Sequence, residues 1–194
     1  MPVSRPSPSS RPSRRSPPRR SPPRRFAAAV LAPLALAGCG GDGEAFAPAC
    51  PGAAIVRDAA DITRFRGPSR DLTDMALDGR ITGLQGKCTR GGRDAVLTTV
   101  TPALELTRGP AAQGRTAELA YFVAVGQGER ILDKQVFALR AEFPPNTDRV
   151  RLSGDDVELR LPVKPGETAA AYRVLVGFQL TPEELELNRS RGPR

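Results

Sequence analysis

Most of the chain after residue 53 alternates between apolar and polar positions and is divided by short turn-forming stretches. This period of two is typical of half-buried antiparallel strands. AELAYFVAV (117–125) is apolar on both faces, which predicts a central strand. GQGER then predicts a hairpin loop leading to ILDKQVFALRAEF (131–143), which ends at Pro144 because proline cannot donate to a strand ladder.

The same alternation predicts the remaining strands. DMALDGRITGLQGKC (74–88) and RDAVLTTVTPALELT (93–107) indicate a long hairpin, with Asp78-Gly79 as a bulge inside one strand. The other predicted strands are a broken first strand, a hairpin around Asp155-Asp156 and a last strand: AIVRDAADITRF (54–65), DRVRLSG with VELRLPV (148–163), and AYRVLVGFQL (171–180). About seven short strands over residues 53–180 predict an all-β fold, a single antiparallel β-sandwich.

A short C-terminal helix is predicted in residues 181–194. In LTPEELELNRSR, Thr181 is expected to be the N-cap, Pro182 the first helical residue and Glu184 the partner of Thr181 in a capping box. A helix this short needs tertiary contacts to persist, so Leu185 or Leu187 should dock it on the sandwich.

One stretch resembles a known domain family. LPVKPGETAAAYRVLV (161–176) is similar to the approach to strand F in fibronectin type III domains, where a Pro-Gly loop precedes a tyrosine. The resemblance implies an immunoglobulin or fibronectin III-like sandwich in which Tyr172 is a tyrosine corner whose hydroxyl bonds backbone near Thr168. The alternative is that Tyr172 is an ordinary core residue.

Charge divides the chain into two parts. Of the formal charge of +8, all is in residues 1–38, which hold eight arginines and no acidic residue, whereas residues 39–194 hold 21 Lys and Arg against 21 Asp and Glu. Residues 1–25 consist of Arg, Pro and Ser apart from Met1 and Val3, a composition that predicts disorder. A charge-balanced domain does not attract a phosphate backbone, so nucleic-acid binding would depend on the arginine-rich arm alone.

An export signal follows this arm. FAAAVLAPLALAG (26–38) is too short to span a bilayer but suits the apolar region of a signal peptide. Leu36-Ala37-Gly38-Cys39 resembles the bacterial lipobox, which implies cleavage between Gly38 and Cys39 and attachment of diacylglycerol to the Cys39 thiol. Fatty acyl chains such as palmitate would then hold the protein on the membrane. The alternative is that Cys39 is a disulfide partner.

The lipobox resemblance also implies a location and a cysteine pairing. Residues 39–52 would form a lipidated Gly/Ala/Pro-rich tether on the periplasmic side of the cell envelope, with the outer membrane favoured because Gly40 replaces the aspartate typical of inner-membrane retention. If Cys39 carries lipid, Cys50 and Cys88 remain as a disulfide pair in an oxidising compartment. Two unpaired thiols are the alternative.

Little in the sequence favours catalysis. The chain has no histidine, so the usual general base and all imidazole metal sites are excluded, and we expect no enzyme activity, cofactor or metal. The group Asp148, Asp155 and Asp156 is interpreted as a solvated hairpin rather than a calcium site. A polar sheet face that could bind a polysaccharide or a protein is predicted from Thr98, Thr99, Thr101, Arg140, Arg149, Arg151, Arg160 and Arg173.

The sequence therefore predicts a non-catalytic lipoprotein of the cell envelope with a binding or structural role. Its partners would be the membrane, through Cys39, and another envelope protein. A periplasmic module that binds a glycan or small molecule is the first alternative. A nucleic-acid protein acting through the arm of residues 1–25 is the second.

Overall fold

Two β-sheets packed face to face make up the computed structural model, which describes residues 49–67, 69–164 and 167–192. The predicted arm, signal segment, lipobox and residues 39–48 of the tether lie outside these residues. The described elements, in chain order, are β1 (Gly52–Ile55), β2 (Asp61–Phe65), β3 (Met75–Arg90), β4 (Ala95–Arg108), β5 (Thr116–Gln127), β6 (Arg130–Glu142), β7 (Arg149–Ser153), β8 (Val157–Pro162), β9 (Tyr172–Phe178) and α1 (Pro182–Arg191).

The sheet order confirms the predicted all-β sandwich with one C-terminal helix. The first sheet has the order β1-β9-β5-β6, and β5 is central in it, as its two apolar faces predicted. The second sheet has the order β2-β3-β4, and both β7 and β8 pair with the far side of β4. The described residues form nine strands rather than about seven, and β1 pairs with β9 in parallel rather than antiparallel fashion. Three consecutive strands, β2 to β4, share one sheet, which differs from the strand order of immunoglobulin domains.

The predicted broken first strand is in fact two strands in different sheets. The amide of Val56 still donates to Val176 O at 2.8 Å, beside β9 of the first sheet. A single 3-10 turn at Arg57–Ala59 then redirects the chain, and Ala60 O accepts from Ile81 N at 2.9 Å in the second sheet. The alternating pattern is the same in both pieces, so the sequence did not show that the chain crosses between sheets.

The predicted hairpin around Asp155-Asp156 is wrong. Both β7 and β8 run antiparallel to β4, beside its residues 103–107 and 95–100 respectively, so they are two collinear pieces of one edge. Pro102 lies at the break between them. Its carbonyl accepts from Gly154 N at 2.9 Å, but proline has no N–H to continue the ladder on that side. Residues 154–156, between β7 and β8, bulge where this donor is missing.

Tyr121 reaches this break from the opposite sheet. Its side chain is completely buried, and its hydroxyl accepts a hydrogen bond from Asp155 N at 2.9 Å. The ring stacks on Phe137 with 5.3 Å between ring centroids. A Cβ on Gly154 would lie 2.8 Å from both the Tyr121 hydroxyl and Pro102 Cγ, so only glycine fits there. Burial raises the pKa of Tyr121, and the bond from the Asp155 amide opposes that shift.

The expected continuity of β3 is confirmed, but its irregularity is not at Asp78-Gly79. The β3–β4 pairing shifts between Ile81 and Gly83, whereas Gly79 is regularly paired with Leu106 and Ile62. A Cβ on Gly79 would lie 2.6 Å from Leu106 Cδ2 and 2.9 Å from Ile62 Cγ2. This glycine therefore permits close packing in the core instead of a bulge.

Two predicted local features are present. Cys50 and Cys88 are joined by a disulfide with a Cα–Cα distance of 5.9 Å, which ties the start of the described chain to β3. At α1, the Thr181 hydroxyl accepts from Glu184 N at 3.2 Å, and the Glu184 carboxylate accepts from Thr181 N at 2.8 Å, which is the predicted capping box. Hydrogen bonds from its own amide and from Thr181 lower the pKa of Glu183.

The helix docks through two residues near its C-terminal end. Leu187 is buried, whereas Leu185 is only half-buried. The Asn188 side chain donates to Asp58 O at 2.9 Å and to Asp61 O at 2.7 Å. It thus satisfies one backbone carbonyl in the 3-10 turn before β2 and one at the first residue of β2. Apolar burial and these bonds together supply the tertiary support that so short a helix needs.

Replacing Tyr121 with phenylalanine removes the hydroxyl that accepts from Asp155 N and keeps the ring. We expect a loss of about 1 kcal/mol in the free energy of unfolding because the amide loses its partner, measured by urea denaturation at pH 7. The raised pKa adds a pH signature. The ordinary pKa of a tyrosine is 10.0, so the contribution of the Tyr121 hydroxyl to the free energy of unfolding is complete below pH 10. It is lost as the pH rises through the higher pKa of the folded state. Y121F should lack this alkaline component. Equal stability at pH 7 would contradict the role of the hydroxyl.

Candidate functional site

The free edges of the two sheets face each other across a groove. β6 is the last strand of the first sheet, and β8 is the outermost strand beside one half of β4 in the second. The space between them, called here the edge groove, has a volume of about 380 Å³. Its walls are formed by Val125, Leu132, Asp133, Gln135, Glu158, Leu159, Arg160, Leu161, Pro162 and Tyr172.

The floor of the edge groove is apolar and belongs to the core. Val125, Leu159, Leu161 and Tyr172 are all buried and line it from β5, β8 and β9. These side chains reach one place because alternate residues of each strand point toward the opposing sheet. The groove is therefore an opening into the space between the sheets rather than a shallow surface dent.

Tyr172 fixes one wall of the groove, although not by the contact predicted for it. Its hydroxyl donates to Pro162 O at 2.7 Å, at the end of β8, rather than to backbone near Thr168. The Tyr172 side chain points inward across the sandwich, so its hydroxyl contacts β8 of the opposing sheet and not the loop that precedes β9. Tyr172 is thus a buried tyrosine that joins β9 to β8.

β6 exposes apolar side chains along the edge of the first sheet. Ile131, Leu132 and Val136 are 57%, 46% and 53% exposed, and Leu132 is the one of the three that lines the edge groove. Among the described strands β6 pairs only with β5, so the backbone groups of its outer edge are available. Exposed apolar residues on a free strand edge are typical of a site where another strand is added.

The polar groups of the groove leave it with excess negative charge. Arg160 is engaged outside the groove, where it donates to Asp94 Oδ1 at 3.0 Å and to Gly91 O at 3.1 Å. Asp133 accepts from the Lys134 amide at 2.8 Å and from the Gln135 side chain at 3.1 Å. Glu158 has no ion pair among the described residues. Two carboxylates thus flank the apolar floor.

The predicted polar face is not a single surface. Thr98 points into the core, and its buried hydroxyl has no hydrogen-bond partner in the described part of the chain. Thr99 and Thr101 do face outward, and Thr101 donates to Asp156. The arginines are divided between the sheets, with Arg149, Arg151 and Arg160 on the second sheet and Arg140 and Arg173 on the first.

Neither a metal cluster nor a membrane-spanning helix is found in residues 49–67, 69–164 and 167–192. Two of the three aspartates considered for calcium have side-chain partners in the described residues. Asp148 pairs with Arg108 at 2.7 Å, Asp156 accepts from Thr101, and the Asp155 amide is bound by Tyr121. The lipobox residues Leu36, Ala37, Gly38 and Cys39 are not among the described residues.

Sequence analysis did not identify the edge groove. The sequence does not distinguish Ile131, Leu132 and Val136 from ordinary strand positions, since alternation does not tell which strand is an edge. The only available signal was the lack of clean alternation in ILDKQV, where Ile131 and Leu132 are adjacent.

A comparison of the chain with protein-family models, curated proteins and solved structures finds no significant match.

Proposed function

We propose that this chain is a non-catalytic lipoprotein of the bacterial cell envelope, anchored through Cys39 and binding a protein partner at the edge groove. The anchor rests on the lipobox Leu36-Ala37-Gly38-Cys39 after an apolar run of signal-peptide length. The Cys50–Cys88 disulfide supports export, because such bonds persist in oxidising compartments. Acyl chains on Cys39 would hold the domain on the membrane without a spanning helix.

The charge distribution supports this proposal over nucleic-acid binding. All of the net positive charge precedes Cys39, so cleavage there would remove it and leave 21 basic against 21 acidic residues. Phosphate-backbone binding depends on an excess of Lys and Arg at the contact surface. A protein that used the arm of residues 1–25 would have to keep it, whereas the proposed lipoprotein discards it.

The observation that carries the binding role is the pair of free strand edges beside an apolar floor. An extended peptide laid along β6 would pair with its outer backbone edge and cover Leu132 and Val136. Asp133 and Glu158 at the rim favour a segment with a basic side chain. The first candidate partner is therefore an extended, basic and apolar segment of another envelope protein.

A small-molecule ligand is the second candidate, favoured by the volume of the groove. About 380 Å³ lies within the range of about 300–1,000 Å³ that ligand pockets occupy. Glu158 and Gln135 could then bind hydroxyl or amine groups of a ligand such as a glycan. The protein partner is preferred because Ile131 and Val136 extend the exposed apolar surface beyond the groove itself.

Mass spectrometry of the mature amino terminus tests the anchor. In the wild type we expect the first residue to be Cys39 with the added mass of diacylglycerol, because the lipobox directs both steps. The matched variant Cys39→Ala should retain residues 1–38 and carry no lipid. Finding residues 1–38 still attached to the wild-type protein would contradict the proposal and favour the arginine-arm alternative.

Photo-crosslinking in cells tests the groove. With a photoreactive phenylalanine at Gln135 we expect a covalent protein adduct of one defined mass, because this position faces the proposed partner. The same probe at Leu97, an exposed position on the second sheet, is the control and should give none. Adding Leu132→Lys should abolish the Gln135 adduct while the domain remains folded. Equal adducts from both probe positions, or none from Gln135, would contradict a protein partner at the groove.

A further inference from the structure

A second pocket lies at the end of the sandwich where β2, β3, β7 and α1 meet. Its volume is about 420 Å³, and its lining includes three arginines that are far apart in sequence: Arg70 before β3, Arg149 at the start of β7 and Arg191 at the end of α1. We call this space the arginine pocket. It shares no lining residue with the edge groove.

The lining of the arginine pocket itself has more positive than negative charge, although Glu183 and Glu184 line an adjoining pocket that shares Arg70. Asp78 is the acidic residue of its lining, against three guanidinium groups. Arg149 lies 3.5 Å from Glu105, but that carboxylate is also bound by Arg151 at 2.7 Å. Arg70 has neither an ion pair nor a hydrogen bond among the residues that the structure describes. The lining alone therefore has a net charge of about +2.

The third arginine is positioned by neutral groups. Arg191 donates to the Thr63 hydroxyl at 3.3 Å, and its guanidinium carbon lies 5.7 Å from the centre of the Phe65 ring. The Thr63 hydroxyl in turn donates to Asp78 at 2.9 Å, which satisfies part of that carboxylate. Arg191 is thus held in place at the pocket wall without a direct ion pair to an acid in the described residues.

Apolar side chains line the same space. Phe65 and Met75 are half-buried in the wall, and Leu72, at 77%, is the most exposed large apolar side chain of the described chain. Guanidinium groups bind carboxylate and phosphate oxygens with two parallel hydrogen bonds, whereas Leu72 and Phe65 gain from covering by an apolar group. A ligand that satisfies both has an anionic head and an apolar body.

The pocket is remote from the point where the chain enters the sandwich. Met75, in its lining, begins β3, whereas Cys88 near the other end of β3 forms the disulfide with Cys50. The intervening extended strand separates the two by about 40 Å. The pocket therefore lies at the opposite end of β3 from the disulfide.

We propose that the arginine pocket binds a small amphiphilic anion, with its carboxylate or phosphate on Arg70, Arg149 and Arg191 and its apolar chain against Phe65 and Leu72. This site is separate from the proposed function and does not depend on the partner at the edge groove. The chemistry is shared by free fatty acids, single-chain phosphates and lipid headgroups, which the experiment distinguishes.

Isothermal titration calorimetry on the full chain carrying Cys39→Ala, purified without detergent, tests this site. Monomeric dodecanoate and dodecyl phosphate are the probes. We expect one binding event that is weakened at least tenfold in the double variant Arg70→Gln/Arg149→Gln, whereas any binding to the arginines of residues 1–38 should be the same in the parent and the variant. The matched control is Arg93→Gln, an exposed arginine in the β3–β4 turn, which should bind as the parent does. We expect Leu72→Gln to weaken dodecanoate binding as well. This variant tests the site independently if the double variant does not fold.

Two further ligands decide the class of the occupant. Inorganic phosphate should bind at least tenfold more weakly than dodecyl phosphate. Any binding of the neutral amphiphile dodecyl maltoside should have the same affinity in the parent and in the double arginine variant. Unchanged dodecanoate affinity in the double variant and in Leu72→Gln, or no binding at all, would overturn the proposal. Arginine-dependent binding to anionic vesicles without binding of either monomeric probe would also overturn it and would indicate a membrane-docking surface.

Discussion

The hydroxyl of Tyr121, bound to the Asp155 amide, connects the two sheets at the point where the ladder of the second sheet is interrupted. Pro102 cannot donate to the neighbouring strand, so the edge divides into β7 and β8 around Gly154. A fully buried tyrosine from β5 fills this break and provides an acceptor for the backbone there. The alignment of β7 with β8, and with it the position of the second sheet's free edge, depends on this contact.

Both candidate binding sites lie where the sandwich is not closed in this way. At the edge groove, β6 and β8 have no further strand beside them in the described chain, and the core residues Leu159 and Leu161 form a floor between them. At the arginine pocket, the ends of several elements meet, and their side chains leave a positively charged hollow. The edge groove offers strand-edge backbone groups and carboxylates beside an apolar floor, whereas the arginine pocket offers guanidinium groups beside apolar side chains, so their ligands should differ in kind.

Features that depend on neighbouring residues could be predicted from sequence. The capping box of Thr181 and Glu184 and the β5–β6 hairpin are specified within a few positions. Features that depend on a distant partner could not. The end-to-end arrangement of β7 and β8 follows from Pro102, which matters only once β4 is known to be their neighbour. The arginine pocket likewise combines Arg70 with Arg191, which local patterns do not connect.

The proposed function depends on a single thiol, because lipid on Cys39 would fix the location and cleavage before Cys39 would remove the cationic arm from a balanced domain. Growth with an alkyne analogue of palmitate, followed by purification and reporter ligation, tests this claim most directly. We expect label on the wild-type protein, no label on Cys39→Ala, and accumulation of the uncleaved chain when the lipoprotein signal peptidase is inhibited with globomycin. An unlabelled wild-type protein whose processing ignores the inhibitor would contradict the account.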